Sequence, residues 1–270
     1  MPRFPILLTN DDGINSPGLQ NLASSLHSLG HPIAILAPLT EQSAVGMKLT
    51  LRDDMAFEEH TDISEKIRTD ESVPLRAFSL DGSPCDCVIV AIDGGLRSWA
   101  PEIRPWLCIS GINRGPNLSV DVLHSGTVSA AREASLYGLP SLSVSLATYS
   151  HQDYSQSIEA TLALVERLSE LVTEEPSNIL RPEGSRTRPI EGAGKNPLRS
   201  WFMQGNMFLN LNIPENWNGT FQTVPLGARW YHNATDMIDQ KSMGVAFEVG
   251  AARIVDEEIE MTDCHAIASG

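Results

Sequence analysis

The sequence predicts a protein of the α/β class, with a doubly wound, mostly parallel sheet followed by a β-rich extension. Short apolar runs that are typical of buried strands alternate with amphipathic segments of helical spacing up to about residue 215. Beyond Trp217 the helical spacing gives way to short alternating segments, which are typical of hairpins. In a sheet of this kind, ligands bind at the carboxyl ends of the strands.

The start of the chain predicts a β-α-β unit. The apolar run PILLT is a strand, and the helix after it has Ser16 as its N-cap, Pro17 at its first position and leucines at helical spacing. Gly30 ends this helix, and HPIAILAP is the second strand. Two strands joined in this way are expected to be parallel, with a right-handed crossover.

The middle of the chain continues the alternation of strands and helices. Serine and proline at a helix start, and glycine at its end, mark two of the predicted helices. The predicted elements are, in chain order, the strands MKLTL and RAFSL, the helix GSPCDCVIVAIDGG, the strand PWLCIS, a helix from Ser125 to Gly138, and the strand PSLSVSL.

The longest predicted helix, SQSIEATLALVERLSELV, carries an apolar stripe opposite its charges, and the strand MFLNLNIP comes later. Residues 176–205 between them are rich in proline and glycine, locally basic and without periodicity. We expect this segment to be a flexible insertion rather than a functional loop. We assign residues 1–215 to the core and residues 216–270 to the extension.

The composition limits the cellular compartments and the binding partners that are expected for this protein. No apolar run approaches the roughly 20 residues of a membrane span. The formal charge of -15 disfavours binding to duplex DNA and to anionic membranes. Since the N-terminus also lacks the pattern of a secretory leader, we expect a soluble, cytoplasmic protein without duplex nucleic-acid or membrane partners. The four cysteines are expected to be buried, reduced thiols.

Two adjacent aspartates, Asp11 and Asp12, directly follow the first strand. Their repulsion costs free energy unless a helix terminus or a cation offsets it. Asp-Asp-Gly is also ordinary turn chemistry, and taken alone the turn is the better interpretation. The loops APLTEQSAVG and SGINRGPN alter that balance, because they bring oxygen-bearing side chains to two further strand ends. Such oxygens suit magnesium, manganese or calcium better than zinc.

A second group of residues, Ser125, Gly126 and Thr127, stands at a predicted helix start. Backbone N–H groups and hydroxyls at such a position can hold a phosphate, although ordinary N-capping explains these residues about equally well without a metal site beside them. The sequence has no phosphate-binding loop motif, no dinucleotide fingerprint and no Gly-x-Ser-x-Gly elbow. Gly13 stands where a phosphatase with an aspartyl nucleophile needs its second carboxylate, which disfavours that covalent mechanism.

Five motifs, in matching order over roughly residues 5 to 215, resemble those of the SurE family of survival-protein nucleotidases. They are ILLTNDDGINSPGL, LAPLTEQSAVG, DGSPCDCV, SGINRGPNLSVDVLHSGTVSAAREASLYGLPSLSVS and FLNLNIP. The resemblance implies a three-layer Rossmann-like core and a C-terminal extension that takes part in dimerisation. The implied metal ligands are Asp11, Asp12, Ser43 and Asn113, and the implied phosphate contacts are Asn113, Ser125, Gly126 and Thr127.

The resemblance also implies an activity. It is that of a phosphatase with one divalent metal ion per subunit, Mg²⁺ or Mn²⁺ with Ca²⁺ as a substitute. This enzyme hydrolyses nucleoside 5′- and 3′-monophosphates and short polyphosphate by attack of a metal-activated water. The implied assembly is a homodimer or tetramer. We expect Asp11 or Asp12 to orient or deprotonate the water. His124, beside the phosphate loop, is a candidate general acid, with a structural histidine as the alternative.

Two other interpretations stay open at this point. A non-catalytic nucleotide- or metal-binding module, of the kind that serves a stress response, would use the same pocket. A polyphosphate-directed enzyme would use the basic residues of the 176–205 segment. The three interpretations differ in metal-dependent release of inorganic phosphate and in the preferred substrate.

Overall fold

The structure is a computed structural model that describes residues 3–181, 197–241, 244–249, 253–257 and 259–269. The strands are β1 (Ile6–Thr9), β2 (Ile33–Pro38), β3 (Phe57–Glu59), β4 (Leu75–Leu80), β5 (Leu107–Arg114), β6 (Ser141–Leu146), β7 (Leu209–Ile213), β8 (Arg229–His232), β9 (Thr235–Lys241), β10 (Gly244–Val249) and β11 (Arg253–Asp256). The helices are α1 (Pro17–Ser28), α2 (Thr61–Ile67), α3 (Pro84–Val90), α4 (Leu96–Trp99), α5 (Asp121–His124), α6 (Gly126–Leu136), α7 (Ser155–Leu168), α8 (Pro197–Met203) and α9 (Asp263–Ser269).

One mixed sheet of seven strands organises the core, in the order β3-β4-β2-β1-β5-β6-β7. Every neighbouring pair is parallel except β3 with β4, which confirms the predicted α/β class with a mostly parallel sheet. β1 lies between β2 and β5, with Ile6 opposite both Ile33 and Leu107. The carboxyl ends of these three strands therefore meet at one edge of the sheet.

The strands are apolar because the sheet is covered on both faces. Side chains alternate between the two faces, so Ile6 and Leu8 pack on one side and Leu7 packs on the other. The first side is closed by α1, α2 and α7, and the second by α3, α4 and α6. The result is the predicted three-layer arrangement, with all four cysteines free and buried, as expected.

The predicted helix GSPCDCVIVAIDGG begins as expected, and its helical geometry breaks near the glycines at its end. α3 starts with a capping box, in which the Ser83 side chain accepts the Asp86 N–H and the Asp86 carboxylate accepts the Ser83 N–H. The backbone leaves helical geometry at Asp93 and Gly94, and α4 begins directly afterwards at Leu96. Gly94 has a φ of +102°, so it kinks the chain without stopping it.

The predicted strand MKLTL is wrong, because these residues form turns and loop. Their backbone groups bond to the start of α3 rather than to a neighbouring strand. The Ser83 hydroxyl donates to the carbonyl oxygen of Lys48 at 2.6 Å, and the Thr50 N–H donates to the Asp86 carboxylate at 3.0 Å. Because these backbone groups already have hydrogen-bond partners, they do not require pairing with a neighbouring strand.

The extension is β-rich, as predicted. β9 and β10 form a hairpin, and β8 pairs with the distant β11 in a second antiparallel pair. TFQTVPLG (220–227), one of the alternating segments beyond Trp217 that predict hairpins, forms no strand in the described structure. No helix among the described residues is long and apolar enough to cross a bilayer. The division of the chain after residue 215 stays a prediction.

The predicted flexible insertion, 176–205, is described only at its two ends. Its central residues, 182–196, lie outside the described part of the chain. The end that follows them forms α8 instead of a loop, and Phe202 of this helix is buried in the core. The apolar positions of this short helix gave too few repeats for the sequence pattern to predict it.

Candidate active site

The loop after β1 presents the two aspartates on a closed turn. The Asn10 side chain accepts the N–H of Gly13 at 3.2 Å and donates to the carbonyl oxygen of Gly13 at 3.0 Å. Gly13 has a φ of +90°, which favours glycine at this position. The turn interpretation of Asp-Asp-Gly is therefore correct for the backbone. Sequence reasoning overlooked Asn10, although asparagine three residues before a glycine is a known turn-forming pattern.

Asp11 joins three elements of the site. Its side chain is buried, and both of its oxygens accept bonds from Thr127: Oδ2 from the backbone N–H at 3.0 Å, and Oδ1 from the hydroxyl. Its carbonyl oxygen accepts the Gln42 N–H, from the loop after β2, at 2.7 Å. Burial raises the pKa of the Asp11 carboxyl, and the Thr127 bonds oppose that rise.

Asp12 is half-buried and has one unsatisfied carboxylate oxygen. Its Oδ2 atom is buried and has no hydrogen-bond partner among the described residues. Burial, and secondly the neighbouring charge of Asp11, raise the pKa of the Asp12 carboxyl to about 7. An orphaned carboxylate oxygen beside a second carboxylate is the arrangement that a divalent cation stabilises. The residues present thus fit the metal that the sequence implies.

The loop after β2 brings Ser43 to this edge of the sheet, together with Glu41. The Ser43 side chain is exposed, and its hydroxyl donates to the Glu41 carboxylate. The structure therefore shows Ser43 bonded to Glu41 and shows no bond from it to the aspartates among the described residues. The charge of Glu41 contributes to the raised pKa of both Asp11 and Asp12. Sequence reasoning overlooked this third carboxylate, which stands two residues before Ser43.

Asn113 stands near the end of β5, the strand beside β1. Its Nδ2 atom donates to the carbonyl oxygen of Gly115 at 2.8 Å. That bond fixes the orientation of the amide and leaves Oδ1 as the acceptor atom for a ligand. The strand order therefore places Asn113 and the two aspartates on adjacent strand ends, as predicted.

The candidate phosphate loop, Ser125–Thr127, stands at the N-terminus of α6. The Ser125 side chain caps this helix by accepting the Val128 N–H at 3.1 Å. A side chain at Gly126 would place its Cβ 2.8 Å from the Asp11 Cβ, so only glycine allows this approach. The Thr127 donors are both directed at Asp11. The hydroxyl of Ser125 and the N–H of Gly126 are therefore the donors of this loop that suit a phosphate.

His124 is exposed and directly precedes the phosphate loop. Its carbonyl oxygen accepts the N–H of Gly46 at 2.8 Å, which ties α5 to the loop after β2. The structure thus places His124 beside the site, and its role as a general acid stays a prediction.

The chemistry of the whole site is that of hard oxygen ligands. Nowhere in the described ranges do three His, Cys, Asp or Glu side chains gather as a metal-binding group. The site instead combines the two aspartates and the nearby Glu41 with amide and hydroxyl oxygens, which suits Mg²⁺ or Mn²⁺ rather than Zn²⁺.

Comparison with known proteins supports one family. A family model described as "Survival protein SurE" matches residues 6–235. The 5′-nucleotidase SurE of Synechococcus sp. (strain JA-3-3Ab) is 33% identical over 269 residues, which cover 98% of this chain and 88% of that protein. The 5′-nucleotidase SurE of Syntrophotalea carbinolica is 34% identical, covering 98% of this chain and 87% of that protein. The crystal structure of the SurE protein from Aquifex aeolicus superposes with a TM-score of 0.64 at 26% identity, covering 98% and 89% of the two chains.

Proposed function

The chain belongs to the SurE family, and from this membership and the site we propose that it is a divalent-metal-dependent nucleotidase. Its reaction is hydrolysis of nucleoside 5′-monophosphates to nucleoside and inorganic phosphate. The observation that carries the metal-dependent mechanism is the buried Oδ2 of Asp12, which lies next to Asp11 and has no hydrogen-bond partner among the described residues. The proposal of a nucleotide substrate is based on the two 5′-nucleotidase relatives named above.

The metal would be held by oxygens from three adjacent strand ends. Asp11 and Asp12 supply carboxylates, Asn113 supplies its amide oxygen, and Ser43 supplies a hydroxyl after release from Glu41. When bound, a Mg²⁺ or Mn²⁺ ion neutralises charge on the phosphoryl oxygens and activates the attacking water. The adjacent like charges of the two aspartates favour the binding of such a cation.

The protein residues divide the remaining work. The Ser125 hydroxyl and the Gly126 N–H hold the phosphate at the positive end of α6. Thr127 holds Asp11 in place. The water oxygen forms its bond to phosphorus as the bond to the 5′-oxygen breaks. Asp12 accepts the water proton, and His124 donates a proton to the leaving oxygen.

The substrate range extends to nucleoside 3′-monophosphates and short polyphosphate, because the proposed contacts of Ser125 and Gly126 are with phosphate alone. These contacts do not depend on the sugar carbon that carries the phosphoryl group. The basic residues implied for polyphosphate, Arg186, Arg188 and Lys195, lie outside the described residues. Relative rates on the two substrate types therefore decide between a nucleotidase and a polyphosphate-directed enzyme.

The test is release of inorganic phosphate from 5′-AMP, 3′-AMP and tripolyphosphate, with Mn²⁺ or Mg²⁺ and then with EDTA. We expect release with metal, loss of release with EDTA, and the highest rate on 5′-AMP. Asp12→Asn should abolish release, whereas Asp54→Asn, in the exposed Asp53–Asp54 pair, should not change it. A wild-type protein without metal-dependent release on any of these substrates would contradict the proposal and favour the non-catalytic binding module.

A further inference from the structure

The single-turn helix α5 directly precedes the phosphate loop and is held by neighbouring elements. The loop after β2 bonds to it through the Gly46 N–H and the His124 carbonyl oxygen. The Arg132 side chain, on α6, donates to the carbonyl oxygen of Val122 at 3.0 Å. The third contact comes from the C-terminal extension and reaches the side chain of Asp121, the first residue of α5.

That third contact is a buried ion pair. Arg229 of β8 donates from Nη1 to Oδ2 of Asp121 at 2.7 Å, and both residues are buried. The Arg229 Nε and Nη2 atoms bond to the two carboxylate oxygens of Asp256 on β11, at 2.7 and 2.8 Å. The Tyr231 hydroxyl donates to the remaining oxygen of Asp121. A two-ended arrangement of this kind uses the planar fork of arginine, which lysine lacks.

A backbone hydrogen bond links Asp121 directly to the phosphate loop. The Ser125 N–H donates to the carbonyl oxygen of Asp121 at 2.8 Å. The Ser125 hydroxyl oxygen in turn caps α6 at Val128. Two short hydrogen bonds therefore connect the guanidinium of Arg229 to the residue that we place on the phosphate.

A second set of hydrogen bonds joins Ser119, which lies just before α5, to the same C-terminal extension. The Ser119 N–H donates to Asp263 at 2.8 Å, and the Ser119 hydroxyl donates to the carbonyl oxygen of Gly227 at 2.8 Å. The Arg229 N–H donates to the Ser119 hydroxyl oxygen at 3.0 Å. The extension thus contacts the chain before the phosphate loop at Ser119 and again at Asp121.

We propose that Arg229 and Asp121 act as a positioning pair, through which the extension holds Ser125 where the phosphate binds. The inference rests on the proposed function and deepens it, since it assigns to the pair the positioning of a proposed phosphate contact rather than a contact of its own. Asp11, Asp12 and Asn113 stand on or directly after β1 and β5, whereas the side-chain hydrogen bonds described for the pair join it to Asp256 and Tyr231. Because Thr127 of the same loop bonds to Asp11, loss of the pair should weaken phosphate binding strongly and metal binding to a smaller extent.

The test is calorimetric titration of the full chain, first with Mn²⁺ and then, after saturation, with inorganic phosphate. We expect Arg229→Met and Asp121→Asn each to weaken phosphate binding about tenfold or more, with a clearly smaller loss of Mn²⁺ affinity. Arg229→Lys should recover part of the affinity, because lysine keeps the charge but loses the fork. The matched control is Arg76→Met, since Arg76 also bridges two carboxylates, those of Glu59 and Glu102.

Several outcomes would contradict the proposed positioning role of Arg229 and Asp121. Phosphate affinity within about twofold of wild type in both Arg229→Met and Asp121→Asn would do so. An equal loss of Mn²⁺ and phosphate affinity would also do so, because it indicates a general structural role. Should Arg229→Met fail to fold, Asp121→Asn and Arg229→Lys decide on the same criteria.

The titrations also separate this inference from the proposed function. A wild-type protein that binds Mn²⁺ and phosphate but releases no phosphate from 5′-AMP contradicts the nucleotidase and still tests the pair. A wild-type protein that binds no phosphate contradicts both.

Discussion

Asp12 is the residue at which folding and function oppose each other. A buried carboxylate oxygen without a donor destabilises the folded chain, and the adjacent charge of Asp11 adds to that cost. The surrounding fold tolerates this cost, and binding of a divalent cation would remove it. Sites whose residues reduce stability in the absence of a ligand are commonly functional.

Asp12→Asn should therefore stabilise the protein in EDTA while abolishing Mn²⁺ binding. We expect a gain of about 1 kcal/mol in the free energy of unfolding at pH 8, where the carboxyl with its pKa of about 7 is mostly ionised. Thermal melts in EDTA measure the gain, and calorimetry measures the binding. Asp54→Asn, in an exposed aspartate pair, is the control and should change neither quantity. A lower melting temperature for Asp12→Asn would contradict this account of the site.

His124 gives a second prediction for a single residue. If it protonates the leaving oxygen, His124→Gln should lower kcat for 5′-AMP by about a hundredfold. The same variant should hydrolyse p-nitrophenyl phosphate almost as fast as wild type, because that leaving group needs no proton. Steady-state kinetics on the two substrates measure the difference, with the exposed His151 changed to Gln as the control. Equal losses on both substrates would make His124 a structural histidine.

At the scale of elements, the site depends on loops that the rest of the fold holds in place. The strand order puts β1 between β2 and β5, so the loops after these strands meet. The loop that carries Ser43 is tied at its far end to α3, through Lys48 and Thr50. The same bonds explain why MKLTL is not a strand although its pattern resembles one.

Asp86→Ala should loosen that loop, since the Asp86 carboxylate accepts the N–H groups of both Thr50 and Ser83. We expect a loss of about 1 to 2 kcal/mol in the free energy of unfolding, with faster hydrogen exchange at the Thr50 amide. Urea denaturation and native-state exchange measure the two effects. Asp81→Ala, at an exposed aspartate nearby, should show neither of them. Unchanged exchange at Thr50 in Asp86→Ala would rule out this tether.

At the scale of the whole molecule, local patterns in the sequence predicted most of the core. The β-α-β start, the parallel sheet and the meeting of three strand ends all follow from short apolar runs and their spacing. Contacts between distant residues left no such pattern. Arg229 and Asp121 are separated by 108 positions, and nothing in the spacing of either residue indicates their pairing. Likewise, only the packed structure shows that Oδ2 of Asp12 has no hydrogen-bond partner among the described residues.

The central claim is that Asp11, Asp12 and Asn113 form a cation site beside a phosphate site at Ser125 and Gly126. A crystal structure of the protein with Mn²⁺ and inorganic phosphate, with data collected at the manganese absorption edge, tests it most directly. We expect one anomalous peak about 2 Å from the Asp12 carboxylate, with the phosphate against the Ser125 hydroxyl. Manganese bound elsewhere, with no peak beside Asp11 and Asp12, would contradict the claim.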